Sequence, residues 1–243
     1  MKLQELMSYT RRALDDFDMI QDGDRIAVGL SGGKDSLSLL AALAEMRRFY
    51  PKKYELYAVT VAMGFKGMDL GLVREYCDSI GVTLSVVETN IAEVVFDIRK
   101  EDNPCSLCAK MRRGALNGRA AELGCNKIAL GHNLDDVIET LLLCLFFEGR
   151  LYTFAPVTYL DRTGIHSIRP LIYVDERDIV SFARRVGLPV LVSTCPVDKS
   201  TKRAEIKEFI KEQGKVYKDL PNRLFSAVKG SKIPGWERIR DLE

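Results

Sequence analysis

The chain has 243 residues, 47% of them hydrophobic and 29% charged, with a net charge of +2, which suits one globular domain of ordinary size with at most a small appendage. That balance excludes a strongly basic, sequence-wide nucleic-acid binder. The longest uncharged apolar run, Leu141 to Phe147, is seven residues against the ~20 that a membrane span needs, and the charged N-terminus lacks the apolar centre of a secretory signal; the expectation is a cytoplasmic protein without membrane contact.

Taken in chain order, Leu3, Leu6, Met7, Leu14 and Phe17 recur at near-helical spacing and predict an amphipathic N-terminal helix over residues 1–22, ending at the turn Gln21-Asp22-Gly23-Asp24. Arg25 to Leu30 reads as a short strand, followed by a glycine loop and a helix from about Asp35 to Phe49. Tyr54 to Ala62 and Val82 to Val87 read as further strands, separated by a helix from Asp69 to Ile80 that Gly81 stops. Ile91 to Arg99 leads to Cys105-Ser-Leu-Cys108, a helix to Leu123, and a strand from Lys127 to Leu130. A buried helix ending near Gly149, a last strand at Ile165 to Ile168, and a helix from Asp175 to Val186 complete a unit spanning residues 23–190. Repeated alternation of strand and helix predicts an α/β fold, a parallel twisted sheet with helices on both faces. Residues 191–243 form a helical extension that opens with a loop cysteine and carries a charged helix from Thr201.

Two loops carry the chemistry. Ser31-Gly32-Gly33-Lys34-Asp35-Ser36 follows a strand and opens a helix, where paired glycines let backbone N–H groups approach an anion and the helix N-terminus adds partial positive charge. The spacing does not fit a Walker loop, which separates its glycines by four residues. Ser31 and Ser36 offer hydroxyls, Lys34 a point charge, and Asp35 a carboxylate able to hold Mg²⁺. The second loop, Gly131-His132-Asn133-Leu134-Asp135-Asp136, again joins strand to helix; in parallel sheets ligands bind at the carboxyl ends of neighbouring strands.

Of the six cysteines, Cys144 sits in an apolar run, and Cys77 and Cys125 flank helix ends; all three read as packing residues. Cys105 and Cys108 stand at the start of a helix, a pair compatible with zinc, redox or iron–sulfur chemistry. Cys195, before Pro196 and outside any apolar stripe, is a candidate third ligand.

The first loop resembles the SGGxDS pyrophosphate loop of the N-type ATP pyrophosphatases, the PP-loop superfamily, with its Rossmann-like, adenine nucleotide alpha hydrolase-like fold. The further order of Cys-x-x-Cys, Met111-Arg112-Arg113-Gly114, Gly-His-Asn-x-Asp-Asp, Ile168-Arg169-Pro170-Leu171 and a late cysteine is similar to the tRNA 2-thiocytidine synthetases. The resemblance implies that Ser31, Gly32, Gly33, Lys34, Asp35, Ser36, Gly131 and Asp136 bind ATP, with Arg112 against the adenylate phosphate. It also implies that Cys105, Cys108 and Cys195 hold a [4Fe–4S] cluster, so that Cys105, Cys108, Cys195, Arg112 and Asp35 form the catalytic set. The partners it implies are tRNA, thiolated at cytidine 32, a sulfur donor (free sulfide or sulfur derived from a cysteine desulfurase) and a second copy of the chain in a homodimer, with Mg²⁺ accompanying ATP. The chain departs from many members in having Cys195-Pro196-Val197-Asp198 where they carry a second Cys-x-x-Cys. Uridine thiolation and lysidine synthesis are alternative activities of the superfamily, and a non-catalytic nucleotide- and metal-binding RNA module is the alternative of another class. Arg11, Arg12, Arg112, Arg113, Arg119, Lys199, Lys202 and Arg203 are the basic residues expected to meet RNA phosphates.

Overall fold

A computed structural model describes residues 1–65, 69–100, 104–192, 195 and 201–239. Its centre is a six-stranded sheet in the order β3-β2-β1-β4-β6-β5, built from β1 (Asp24–Gly29), β2 (Tyr54–Ala62), β3 (Thr83–Glu88), β4 (Lys127–Ala129), β5 (Val157–Leu160) and β6 (Ile165–Ile168). The first five in this order run parallel. The exception is β5, which pairs antiparallel with β6 at the sheet edge.

Helices cover both faces, as the alternating pattern predicts. Along β1, Ile26 and Val28 point into the larger core with α1 (Leu3–Asp16), α2 (Lys34–Met46), α5 (Leu134–Glu148) and α6 (Glu176–Val186). Ala27, between them, points into a smaller core under α4 (Pro104–Glu122) with Val59, Leu116, Ala120, Ile128 and Ile165. Burial on both faces explains why β1 reads as a nearly continuous apolar run rather than an alternating one. On the β3 side, α3 (Gly71–Ser79) buries Val73 and Cys77 in the larger core.

The C-terminal extension contains α7 (Lys202–Val216) and α8 (Leu220–Gly230). Ile206, Phe225, Val228 and Trp236 join the larger core, with Trp236 set edge-on to Phe17 and Phe225. The segment Glu93–Arg99 forms a π-helical turn before α4, a geometry that occurs mostly as single turns and often near functional sites.

The chain leaves β1 for β2 on one side, whereas β4 adds on the other. The crevice at the carboxyl ends of β1 and β4 is therefore the topological switch point of the sheet. Both glycine loops open into it.

Candidate active site

The first loop is shaped by its own hydroxyls. Ser31 Oγ lies 3.2 Å from Ser36 Oγ and accepts from the Gly33 N–H at 3.3 Å, while Ser36 Oγ donates to the Gly33 carbonyl at 3.0 Å. Gly32 has φ +78°, and a Cβ there would meet the Leu191 side chain at 2.5 Å; the Leu191 N–H also donates to the Gly32 carbonyl at 2.9 Å. Glycine is thus required at 32 for both conformation and space.

The two loops interlock. A Cβ on Gly131 would lie 2.9 Å from the Asp35 carbonyl carbon and the Ser36 nitrogen. Asn133 caps α5 by accepting from the Asp136 N–H at 3.2 Å, and Asp136 Oδ2 accepts from the Asn133 N–H at 3.0 Å, a reciprocal capping box that satisfies two otherwise orphaned donors. The Asn133 side chain also donates to Asp35 Oδ1 at 3.0 Å.

Lys34 stands between Asp35 and Glu176, with Nζ 2.9 Å from an oxygen of each. These carboxylates raise its pKa despite burial, which acts in the opposite direction. Glu176 is also engaged by Lys207; burial opposes ionisation, but the hydrogen bonds from Lys207 and Lys34 win and hold its carboxyl below the ordinary value. Burial pushes Asp135, Asp136 and Glu139 upward, against the backbone N–H that serves Asp135 and the Arg203 charge beside Asp136 and Glu139.

Arg203, expected at an RNA phosphate, instead reaches back from α7 to Glu139 at 2.9 Å and Asp136 at 3.3 Å. Buried carboxylates draw the guanidinium inward. Arg11 and Arg12 lie along α1 with Asp15 and Asp16 as ion-pair partners. Arg119 bonds Ser85 and Glu122, and Lys202 pairs with Glu205 and lies over the Phe147 ring. Lys199 lies outside the described residues. Of the basic set, Arg112 and Arg113 line the crevice.

That crevice is a cavity of about 520 Å³ lined by Ser31, Asp35, Ser36, Gly131 and Asp136 from the loops and by Met63, Arg112, Arg113, His132 and Arg169 around them, within the ~300–1,000 Å³ usual for small-ligand sites. Arg169, which sequence reasoning left as part of a motif without a role, is only 9% exposed. His132, from the second loop, is in the cavity wall.

The cysteines divide by burial, and the three expected to be packing residues are the buried ones. Cys77, Cys125 and Cys144 are buried, whereas Cys105 is exposed and Cys108 and Cys195 are half-buried. Cys105 and Cys108 occupy the first turn of α4, and Arg112 follows one turn later. Burial raises the Cys108 thiol pKa; Arg112 opposes the shift, and Cys195 and Cys105 add to it, so the three thiols share one electrostatic neighbourhood. Cys108 Sγ also lies 3.6 Å from Met63 Sδ, on the cavity wall. Among the described residues no three His, Cys, Asp or Glu side chains are closed into a metal-holding group. The donor set itself, three thiols with a cation nearby, suits a thiophilic centre such as an iron–sulfur cluster.

Residues 5–213 match the PP-loop domain family. A protein of Pelobacter propionicus named tRNA-cytidine(32) 2-sulfurtransferase is 47% identical over 221 residues, covering 90% of this chain and 81% of that protein. Its namesake in Geobacter sulfurreducens is 41% identical over 245 residues, covering 100% and 94%. The chain belongs to the PP-loop family of tRNA-cytidine(32) 2-sulfurtransferases. The fold agrees with a solved structure of the U34-tRNA thiolase NcsA from Methanococcus maripaludis with its [4Fe-4S] cluster, at a TM-score of 0.76 and 24% identity over 93% of this chain and 76% of that one.

Proposed function

We propose that the protein is an ATP-dependent tRNA sulfurtransferase that adenylates the 2-oxygen of cytidine 32 and replaces it with sulfur. The observation that carries this reading is the single cavity in which the interlocked loops, Arg112 and the wall beside Cys108 meet. An amide-like oxygen is a poor leaving group, so attack of the base oxygen on the α-phosphate of ATP, with release of pyrophosphate, converts it into part of a good one. A sulfide nucleophile then adds at C2 and AMP departs with the original oxygen.

Ser31, Gly32, Gly33 and Ser36 would hold the β and γ phosphates, with Lys34 released from Glu176 to meet them. Asp35 and Asp136 are the carboxylates suited to Mg²⁺, which would neutralise the leaving pyrophosphate. Arg112, always charged, would stabilise the α-phosphate as charge accumulates there. Cys105, Cys108 and Cys195 would hold a [4Fe–4S] cluster. When bound, that group would supply sulfide beside the activated carbon.

The remaining expectations belong to the same reading: a sulfur donor that is free sulfide or a cysteine desulfurase product, a cytoplasmic location and a homodimer. No described helix is long and apolar enough to cross a membrane. Exposed Leu145, Phe146, Phe147 and Leu151 at the end of α5 form an apolar surface suited to a second subunit.

The test is thiolation of a tRNA transcript by anaerobically reconstituted protein with ATP, Mg²⁺ and sulfide, followed by mass spectrometry of the digested RNA. Formation of 2-thiocytidine at position 32, with one AMP for each sulfur, supports the reading. A thiolated uridine, or AMP formation indifferent to RNA, contradicts it.

A further inference from the structure

The cavity has two unlike sides. The strand order places Leu30, Val61 and Met63 at the ends of β1 and β2, while His132, Phe154, Thr158, Ser167 and Arg169 stand on the β4, β6 and β5 side. With strands ~4.8 Å apart, β6 lies about 10 Å from β1. The three residues on the first side are apolar, whereas the second group carries a cation and several polar atoms.

Those polar atoms are incompletely used. Arg169 Nη1 donates to the Ala155 carbonyl at 2.7 Å and to Thr158 Oγ1 at 3.1 Å, yet Arg169 Nε, His132 Nδ1 and Ser167 Oγ are buried without a hydrogen-bond partner. Phe154 backs both functional side chains: its ring centroid is 4.9 Å from that of His132 and 5.0 Å from the Arg169 guanidinium carbon. Buried polar groups left unsatisfied are costly, and such groups on a cavity wall point to a ligand that completes them.

We propose that His132, Phe154 and Arg169 form a nucleobase subsite that receives the target pyrimidine, unstacked from the RNA, and favours cytosine over uracil. This deepens the tRNA thiolation reading and rests on it. A base that is modified at its ring must leave its stack, and proteins hold such bases on aromatic or guanidinium faces and by their Watson–Crick edges. Arg169 has donors only, and cytosine presents adjacent acceptors at O2 and N3. Uracil carries a hydrogen on N3, which opposes a guanidinium donor. The imidazole is neutral because burial, then Arg169, Arg203, Arg113 and Arg112, push its pKa down to about 3; a neutral ring keeps one nitrogen able to accept from the cytosine amine. Polar recognition of this kind discriminates by leaving the wrong base's partners unpaired.

The test uses RNA hairpins with cytosine, uracil or the fluorescent analogue pyrrolocytosine at position 32, with a non-hydrolysable ATP analogue, and the His132→Phe and Arg169→Met variants. His132→Phe keeps a ring against Phe154, so it separates recognition from folding if Arg169→Met unfolds. The wild-type protein should raise pyrrolocytosine fluorescence and prefer cytosine by about tenfold or more, and the variants should bring that preference near unity. Affinity for the ATP analogue alone should stay within about twofold, a shift below 0.5 kcal/mol. Retention of both signals by His132→Phe would overturn the subsite. A matching loss of affinity for the ATP analogue alone would assign these residues to adenine and overturn it too. Failure of the wild-type protein to bind any hairpin would instead remove the tRNA reading, and the subsite with it.

Discussion

Asn133 Nδ2 donates to Asp35 Oδ1 at 3.0 Å, so the loop after β4 holds the carboxylate of the loop after β1. Through the same residue Asn133 also caps α5 and fixes Asp136. Two segments nearly a hundred residues apart in sequence are thereby held as one cradle.

The tightest point of that cradle gives the first prediction. Gly131→Ala would place a methyl group 2.9 Å from the Asp35 and Ser36 backbone, where no flexible side chain can yield. The variant should be about 1–3 kcal/mol less stable, the usual cost of overpacking, and should lose ATP binding. Thermal unfolding and calorimetric titration with ATP measure the two effects.

Glu176 sets an acid limit on stability. Its folded pKa lies below the ordinary 4.5, so the folded chain favours the ionised form. That contribution is present above 4.5 and is lost as pH falls through the depressed value. Glu176→Gln should therefore flatten the acid limb of stability against pH, as followed by chemical denaturation. A limb as steep as in the wild-type protein would count against the Lys34–Glu176–Lys207 ion pairs.

Asp136 behaves with the opposite sign. Burial raises its pKa above the ordinary 3.8, so the folded chain binds this proton more tightly than the unfolded chain does. As pH falls from neutrality toward the raised value, protonation of Asp136 favours the fold while removing a charge suited to Mg²⁺. Binding of Mg²⁺·ATP should weaken in that window without loss of structure. Asp136→Asn should retain its Tm near neutral pH and bind Mg²⁺·ATP poorly throughout, a pattern that calorimetry across pH detects.

The cysteines are separable by metal analysis. After anaerobic reconstitution, Cys105→Ser, Cys108→Ser and Cys195→Ser should each lose iron and acid-labile sulfide, whereas Cys144→Ser should keep both. Equal iron in Cys195→Ser and the wild-type protein would remove Cys195 from the ligand set.

Much of this site was legible in the sequence because its two loops follow apolar strands and carry glycines whose need is local or nearly so. Most strand and helix bounds fell within a few residues of those observed, as at Arg25 to Leu30 against Asp24–Gly29, but the N-terminal helix expected over residues 1–22 ends at Asp16. The edge strand Val157–Leu160 was not foreseen: its four residues are half-buried or exposed, and pairing with β6 rather than periodicity defines it. Helix Leu220–Gly230 was likewise unassigned within the extension, since its start rests on Asp219 in a left-handed conformation and on Pro221. The positions of Arg169 and Arg203 depend on strand order and on α7 folding back over α5, and neither has a local signature. Arg203 looked like one more basic surface residue until Glu139 and Asp136 stood beside it.

Oxygen tracing tests the central claim most directly. A tRNA carrying ¹⁸O at the 2-position of cytidine 32 would be thiolated in ordinary water with ATP, and the released AMP analysed by mass spectrometry. Attack of the base oxygen on the α-phosphate predicts one ¹⁸O in each AMP formed per sulfur inserted. Unlabelled AMP alongside thiolated RNA would contradict adenylation of the base.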